Sequence, residues 1–285
     1  MQSLWMLVAS AMFAVMGSFV KLAVEHQASL AQVVLFRGVP SVILLLIWAR
    51  TRKLDVLPTI WRPHLWRNLA GISSMWLGFY AIGHLPLATA TSLTYTAPLF
   101  IAGWVLVTGV AKRDPICIAS VGFGFLGVLA ILRPSIDPEH WLPAAMGLGA
   151  GGLSAVAMMQ IRALGRLGEA EWRTVLIFSF FVCLSSLVGL IVGPWGQADM
   201  TGWLALLGIG LTGLLGQMAL TRAFGLGSPL LSAALQYSTI LFAAGIGMFY
   251  WGERIDDLAL FGMACVIAAG LLATWRTMAN GRSGD

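Results

Sequence analysis

The sequence predicts an all-α polytopic membrane protein: ten transmembrane helices forming two inverted five-helix repeats, with both termini cytoplasmic. Three observations predict it, namely an apolar composition, a lopsided distribution of basic residues and a gapless internal match. Of 285 residues, 59% are hydrophobic and 10% charged, and the mean hydropathy is +0.86. A soluble domain carries about a quarter charged residues and could not hide so much apolar surface. The low polarity excludes disorder, and apolar runs that are continuous rather than alternating disfavour an outer-membrane barrel. About 20 apolar residues cross a bilayer as a helix, so the chain holds roughly ten crossings and no sizeable soluble domain.

Runs poor in charge place the helices near residues 2–24, 29–50, 65–83, 88–110, 115–133, 141–162, 172–194, 200–223, 230–251 and 256–277. No basic segment precedes the first run and the pattern continues after it, so it reads as a membrane helix rather than a cleaved signal. The runs 85–111 and 223–252 contain no Asp, Glu, Lys or Arg, and Pro86 and Pro229 predict tight turns before the fourth and ninth spans. Pro98, mid-span, removes a backbone donor and frees a carbonyl near the centre of the fourth helix. These three prolines are the hinge or gating candidates, with paired turns letting helix pairs three/four and eight/nine rock as units.

With the N-terminus inside, thirteen basic residues fall on one face of the membrane: Arg50, Arg52, Lys53, Arg62, Arg67, Lys112, Arg113, Arg162, Arg166, Arg173, Arg222, Arg276 and Arg282. Only Lys21, Arg133 and Arg254 fall on the other, and Arg37 lies within a span. The excess of basic residues in cytoplasmic loops then puts both ends of the chain in the cytoplasm. The net charge of +5 therefore orients helices and does not point to nucleic acid.

Sliding the chain on itself by 142 residues aligns 71–103 with 213–245, and nine of the 33 pairs are identical, among them Tyr95 with Tyr237. Five helices per half make the second copy enter from the opposite side, with a site expected near the midplane between the halves. The halves are predicted at 1–134 and 141–278, with 279–285 a cytoplasmic tail.

Five short stretches carry a family resemblance: Met16-Gly17-Ser18-Phe19-Val20-Lys21, Phe36-Arg37, Leu85-Pro86-Leu87-Ala88-Thr89-Ala90, Tyr95-Thr96-Ala97-Pro98-Leu99-Phe100 and Trp251-Gly252-Glu253-Arg254. In order and spacing they resemble tandem EamA domains of the drug/metabolite transporter superfamily over nearly the whole chain. Two positions depart from that pattern. Gly109-Val110-Ala111-Lys112 stands where the family usually carries a Gly-Glu pair, and Ile240 stands where the first half has Pro98. The resemblance implies a multi-pass transporter of the cell inner membrane. Its leading implied activity is export of amino acids, including aromatic and apolar ones.

The residues themselves limit the chemistry. All twelve carboxylates map to connections, helix ends or the tail, and the four histidines lie at helix ends. A carrier driven by protons or sodium commonly uses an intramembrane carboxylate, so its absence favours facilitative movement. An enzyme would need a nucleophile with a partner base, a metal cluster or paired acids, and none is present. No cofactor and no metal are implied. Cys117, Cys183 and Cys265 show no CxxC spacing. GxGxxG occurs three times, at Gly122, Gly124, Gly127; at Gly147, Gly149, Gly152; and at Gly208, Gly210, Gly213. Inside apolar helices these read as close helix packing rather than as a dinucleotide fingerprint.

The candidate lining is the set of polar and aromatic residues inside spans: Trp76 and Tyr80, Tyr95, Gln160, Gln217, and Gln236 with Tyr237. Each is costly toward lipid and should face protein or a water-filled cavity. Tyr95 and Tyr237, at equivalent repeat positions, are the leading pair. Arg37, about seven residues inside the second span, costs roughly 2.5 to 3.5 kcal/mol at a helix centre. It either snorkels, bonds carbonyls at a broken helix, or contacts an anionic solute group. Many of the 12 Trp lie toward span ends, as an interfacial belt. A cavity with amides and aromatic faces but no carboxylate favours neutral or zwitterionic organic solutes over metal cations, moved by alternating access. Uptake or exchange of another metabolite, such as a nucleoside or S-adenosylmethionine, is the alternative transport reading. A non-transporting membrane scaffold or sensor is the alternative of another class. The partners implied are a small-molecule solute and the lipid bilayer.

Overall fold

The computed structural model describes residues 2–58, 60–97, 99–100, 138–227 and 235–282, with isolated positions at 115, 119, 122–124, 126–127, 130 and 232. Every regular element among them is helical: α1 (Trp5–Glu25), α2 (Leu30–Thr51), α3 (Trp61–His84), α4 (Leu87–Thr94), α5 (Pro138–Arg166), α6 (Glu171–Val192), α7 (Met200–Leu226), α8 (Ser238–Trp251) and α9 (Asp257–Arg282). Five helices, at Gln2–Glu25, Leu30–Thr51, His140–Arg166, Glu171–Ile191 and Met200–Leu226, are long and apolar enough to cross a membrane. The chain is a polytopic membrane protein. Most of the predicted fifth span, the second half of the fourth, Pro98, Pro229 and the predicted repeat boundary at 134 lie outside the described residues.

Local chemistry sets the helix ends. Ser29 caps α2 with a reciprocal box: its hydroxyl accepts from the Gln32 N–H at 3.3 Å, and Gln32 Oε1 accepts from the Ser29 N–H at 2.7 Å. Asp199 caps α7 by accepting from the Gly202 N–H at 2.8 Å. Gly252, at φ 60°, ends α8 in the left-handed conformation that glycine adopts without strain. Three boundaries differ from the sequence expectation. α3 begins at Trp61 rather than near 65, because Pro63 falls in the first turn, where its missing N–H costs nothing. α9 continues to Arg282, into the predicted tail, since no proline or glycine interrupts 275–280. α4 stops at Thr94 and the chain turns at Tyr95 and Thr96, where 88–110 was expected to be continuous. Pro98 has no N–H to donate to the Thr94 carbonyl, and its ring would crowd that oxygen in a continuous helix.

Shifted by 142 residues, α2 falls on α6 to within a residue at each end, and the C-terminal ends of α3 and α7 coincide. The packing follows the same pattern: α1 lies chiefly on α7 and α3 chiefly on α5, while α2 contacts α6 and α4 contacts α8. Small residues permit these approaches. A Cβ on Gly210 would come 2.3 Å from Pro40 Cγ, and one on Gly38 would come 2.5 Å from Cys183 Sγ. Apolar side chains such as Ile47, Val188, Leu211 and Phe249 are exposed on the outer surface, where lipid would cover them. Seven of the belt tryptophans, Trp48, Trp61, Trp66, Trp141, Trp195, Trp203 and Trp275, are also exposed.

Candidate functional site

The small-residue stripe of α3 keeps one face of that helix open. Gly71, Ser74 and Gly78, spaced three and four apart, share a face with Arg67, and all four border a cavity inside the bundle. Its water-accessible space is about 160 Å³. Apolar walls come from Phe13 and Met16 of α1, Met75 and Phe79 of α3, Met158 of α5 and Phe178 of α6. Polar groups come from Arg37, Thr91, Tyr95, Gln217, Gln236 and Thr239. Among the described lining residues there is no carboxylate.

Arg37 is 2% exposed, so it does not snorkel. Its Nη2 donates to Gln217 Oε1 at 3.2 Å, and its Nη1 has no hydrogen-bond partner among the described residues. The arginine lies across α7 at a glycine: a Cβ on Gly213 would sit 2.5 Å from Arg37 Cδ and 2.6 Å from Nε. The third glycine triplet therefore serves close packing and makes room for the guanidinium.

Arg67 is the residue that sequence reasoning missed. Counted among the connecting charges, it is instead 3% exposed inside α3. Its guanidinium stacks on Phe178, with Cζ 3.7 Å from the ring centroid. Stacking occupies the face of the planar group and leaves its edge, and Nε and Nη1 on that edge have no hydrogen-bond partner among the described residues. Arg37 and Arg67 lie close enough for their charges to repel. The signal that could have found Arg67 was its helical register with Gly71, Ser74 and Gly78.

The predicted lining residues divide. Tyr95, Gln217, Gln236 and Arg37 border the cavity. Gln236 is 3% exposed and its Oε1 has no hydrogen-bond partner among the described residues. Tyr237 is buried at the residue preceding α8, away from the cavity lining, and its hydroxyl has no partner among the described residues. Tyr95 and Tyr237 thus both stand where a helix is interrupted. Trp76 donates from Nε1 to Ser185 Oγ at 3.2 Å, Tyr80 stacks on His84 with centroids 4.2 Å apart, and Gln160 is half-buried; none of the three borders the cavity. Pro86 precedes α4 as its N-cap.

At the end of the bundle where α1 and α8 stop, three of the sequence motifs converge. Lys21 pairs with Glu253, and the Glu253 oxygens also accept from the Leu87 N–H at 3.0 and 3.1 Å. The lysine Nζ lies 4.9 Å from the Trp251 ring centroid, and Trp251 Nε1 donates to Glu25 at 2.8 Å. A carboxylate at the first turn of α4 also meets the positive end of that helix. This cluster ties α1, α4 and α8 together.

Among the described lining residues there are two guanidinium groups and no carboxylate, and guanidinium N–H groups are donors suited to charge-assisted hydrogen bonds. No family model matches the chain. It is 31% identical over 270 residues to the pseudopaline exporter CntI of Pseudomonas aeruginosa, covering 92% of this chain and 91% of that protein. An uncharacterized transporter of Helicobacter pylori is 25% identical over 279 residues, with 93% and 92% covered. Solute carrier family 35 member G1 of Homo sapiens is 24% identical over 226 residues, covering 74% of this chain and 61% of that protein. A crystal structure with 15% sequence identity superposes with a TM-score of 0.68 over 96% of this chain and 98% of that chain, a likeness of fold. These relatives are named as transporters and exporters, not enzymes. The chain belongs to the family of membrane transporters that includes the pseudopaline exporter of Pseudomonas aeruginosa.

Proposed function

We propose that this protein exports small zwitterionic organic solutes across the cell inner membrane, amino acids with aromatic or apolar side chains foremost, by facilitative alternating access. The observation that carries the reading is the placement of complementary unpartnered groups in one cavity: Arg37 Nη1 as donor and Gln236 Oε1 as acceptor. An α-carboxylate on Arg37 and an ammonium on the Gln236 oxygen would satisfy both, while the Phe13, Met75 and Phe79 wall takes the side chain. Tyr95 closes the polar side.

The export direction follows the name of the 31% identical relative. The EamA reading rests on the motifs, three of which meet at the Lys21–Glu253 cluster. Ten spans in two inverted halves, 1–134 and 141–278, with cytoplasmic termini, are supported by the matching helix ends and packing pairs. In that arrangement the cluster is the outer closure, Pro86, Pro98 and Pro229 are the hinges, and Tyr237 is the counterpart of Tyr95 in the opposite half. Facilitative movement follows from a cavity whose described lining holds no carboxylate to carry a proton.

Reconstituted protein tests this. Proteoliposomes loaded with phenylalanine, leucine or methionine should exchange labelled solute saturably, at a rate that a protonophore leaves unchanged. Exchange of none of the three contradicts the substrate reading. Exchange that collapses with the protonophore contradicts the facilitative one.

A further inference from the structure

We propose that the preferred solute carries a second anionic group, a carboxylate beyond the one held by Arg37, and that Arg67 receives it. The inference rests on the reading above that a zwitterion passes through this cavity, and it moves the foremost solutes from amino acids with apolar side chains to ones with a second carboxylate.

Charge balance carries the argument. Arginine stays protonated in proteins, and two guanidinium groups buried to 2% and 3% exposure in one cavity bring two positive charges into a poorly hydrated space. An ionised group so placed costs several kcal/mol unless it is paired and hydrogen-bonded. Elsewhere the protein supplies the pairing itself: Lys21 has Glu253, and Arg173 has Glu169 at 2.7 Å. Among the described residues Arg37 has only the Gln217 amide as a hydrogen-bond partner, and Arg67 has the face of Phe178. Both present N–H groups without acceptors among the described residues, and the two charges repel. A single α-carboxylate neutralises one guanidinium and leaves the other uncompensated. A solute with two carboxylates neutralises both.

The fixed geometry suits recognition rather than chance ion capture. Phe178 holds the Arg67 group by its face, so the free edge has one direction in which to find an acceptor. Gly71 makes the space, because a Cβ there would fall 2.1 Å from Arg67 Nη1. Gly213 does the same for Arg37.

The test uses the purified full chain in detergent and in liposomes, with matched pairs of solutes: glutamate against glutamine, aspartate against asparagine, and 2-oxoglutarate alone. At constant ionic strength, at least one dicarboxylate should raise the melting midpoint more than its amide, and should inhibit exchange of labelled leucine at a concentration about ten-fold lower. In the Arg67→Gln variant that ten-fold preference should vanish, and Arg67→Lys should restore part of it; a preference of wild-type size in Arg67→Gln would overturn the assignment to Arg67. If dicarboxylates and amides act alike on the wild-type protein, in both stabilisation and inhibition, the second anionic subsite does not exist, although the transport reading survives. If leucine exchange itself is absent but the dicarboxylates stabilise the protein and Arg67→Gln removes that effect, the subsite stands and the amino-acid reading falls.

Discussion

Two cationic regions of this protein face opposite fates. At the end where α1 and α8 stop, Lys21 meets Glu253, whose oxygens also take the Leu87 N–H, and Trp251 flanks the lysine. In the cavity, Arg37 and Arg67 are buried more deeply than Lys21, yet no carboxylate among the described residues answers either. The chain therefore pairs a largely buried cation itself where three helix ends meet. Where the described residues leave cations unpaired, we propose that a solute supplies the anion. The difference separates a structural ion pair from a binding site on physical grounds.

The sharpest way to break the contrast is to remove one partner of the Lys21–Glu253 pair. Glu253→Ala leaves Lys21 and the Leu87 N–H without an acceptor, and breaking a pair of this burial should cost about 3 kcal/mol. The melting midpoint in detergent should drop by several degrees. The double variant Lys21→Met with Glu253→Gln removes the charges while keeping an acceptor for Leu87, and should recover most of the loss. Recovery of none would mean that the pair does not act as a unit.

The converse holds in the cavity. Arg37→Gln and Arg67→Gln each remove an uncompensated charge, so solute-free protein should keep its midpoint or gain about 1 kcal/mol of stability. Transport should fall about ten-fold or more in Arg37→Gln, since a hydrogen bond to a charged group contributes about 1.5 to 3 kcal/mol. A marked loss of stability in either variant, read by thermal unfolding, would place these arginines with Lys21 as structural cations.

A smaller effect is expected from Gly213→Ala. The added methyl meets Arg37 Cδ at 2.5 Å, so the guanidinium must shift from Gln217 or α7 must move. Solute affinity should fall by less than in Arg37→Gln, with a destabilisation of about 1 kcal/mol. The smallest effect belongs to Asp199. Its carboxyl is held below the usual range, first by the Gly202 N–H and then by His26. Because the folded value is the lower one, this stabilisation is present above the ordinary carboxylate range and is lost as pH falls through the depressed value. Asp199→Asn should flatten that acid-side decline in a pH series of melting curves while leaving the midpoint near pH 7 little changed.

Much of this was legible in the sequence. Composition and hydropathy identified the polytopic helical class, and the register of α1, α2, α6 and α7 followed from charge-free runs. Arg37, Gln217, Gln236 and Tyr95 were found because a polar group inside an apolar span must face protein. Arg67 was not, since a span that begins near 65 leaves it at the membrane edge, where a basic residue reads as an orienting charge, whereas the helix begins at Trp61 and carries it further in. The Lys21–Glu253 pair spans more than two hundred positions, and only packing of α1 on α8 brings its members together. Trp76 and Tyr80 share a helical face as expected, yet Trp76 spends its N–H on Ser185 of α6 rather than on the cavity. Periodicity places residues on one side of a helix, and the neighbouring helix decides what that side touches.

The most direct measurement is counterflow of labelled leucine in proteoliposomes of wild-type protein beside Arg37→Gln and Lys21→Met/Glu253→Gln, with a protonophore present. The wild-type protein should exchange solute saturably, and Arg37→Gln should lose about ten-fold or more while remaining folded. The charge-free closure variant should still move solute. Equal exchange by wild-type protein and Arg37→Gln would contradict the assignment of this cavity as the passage.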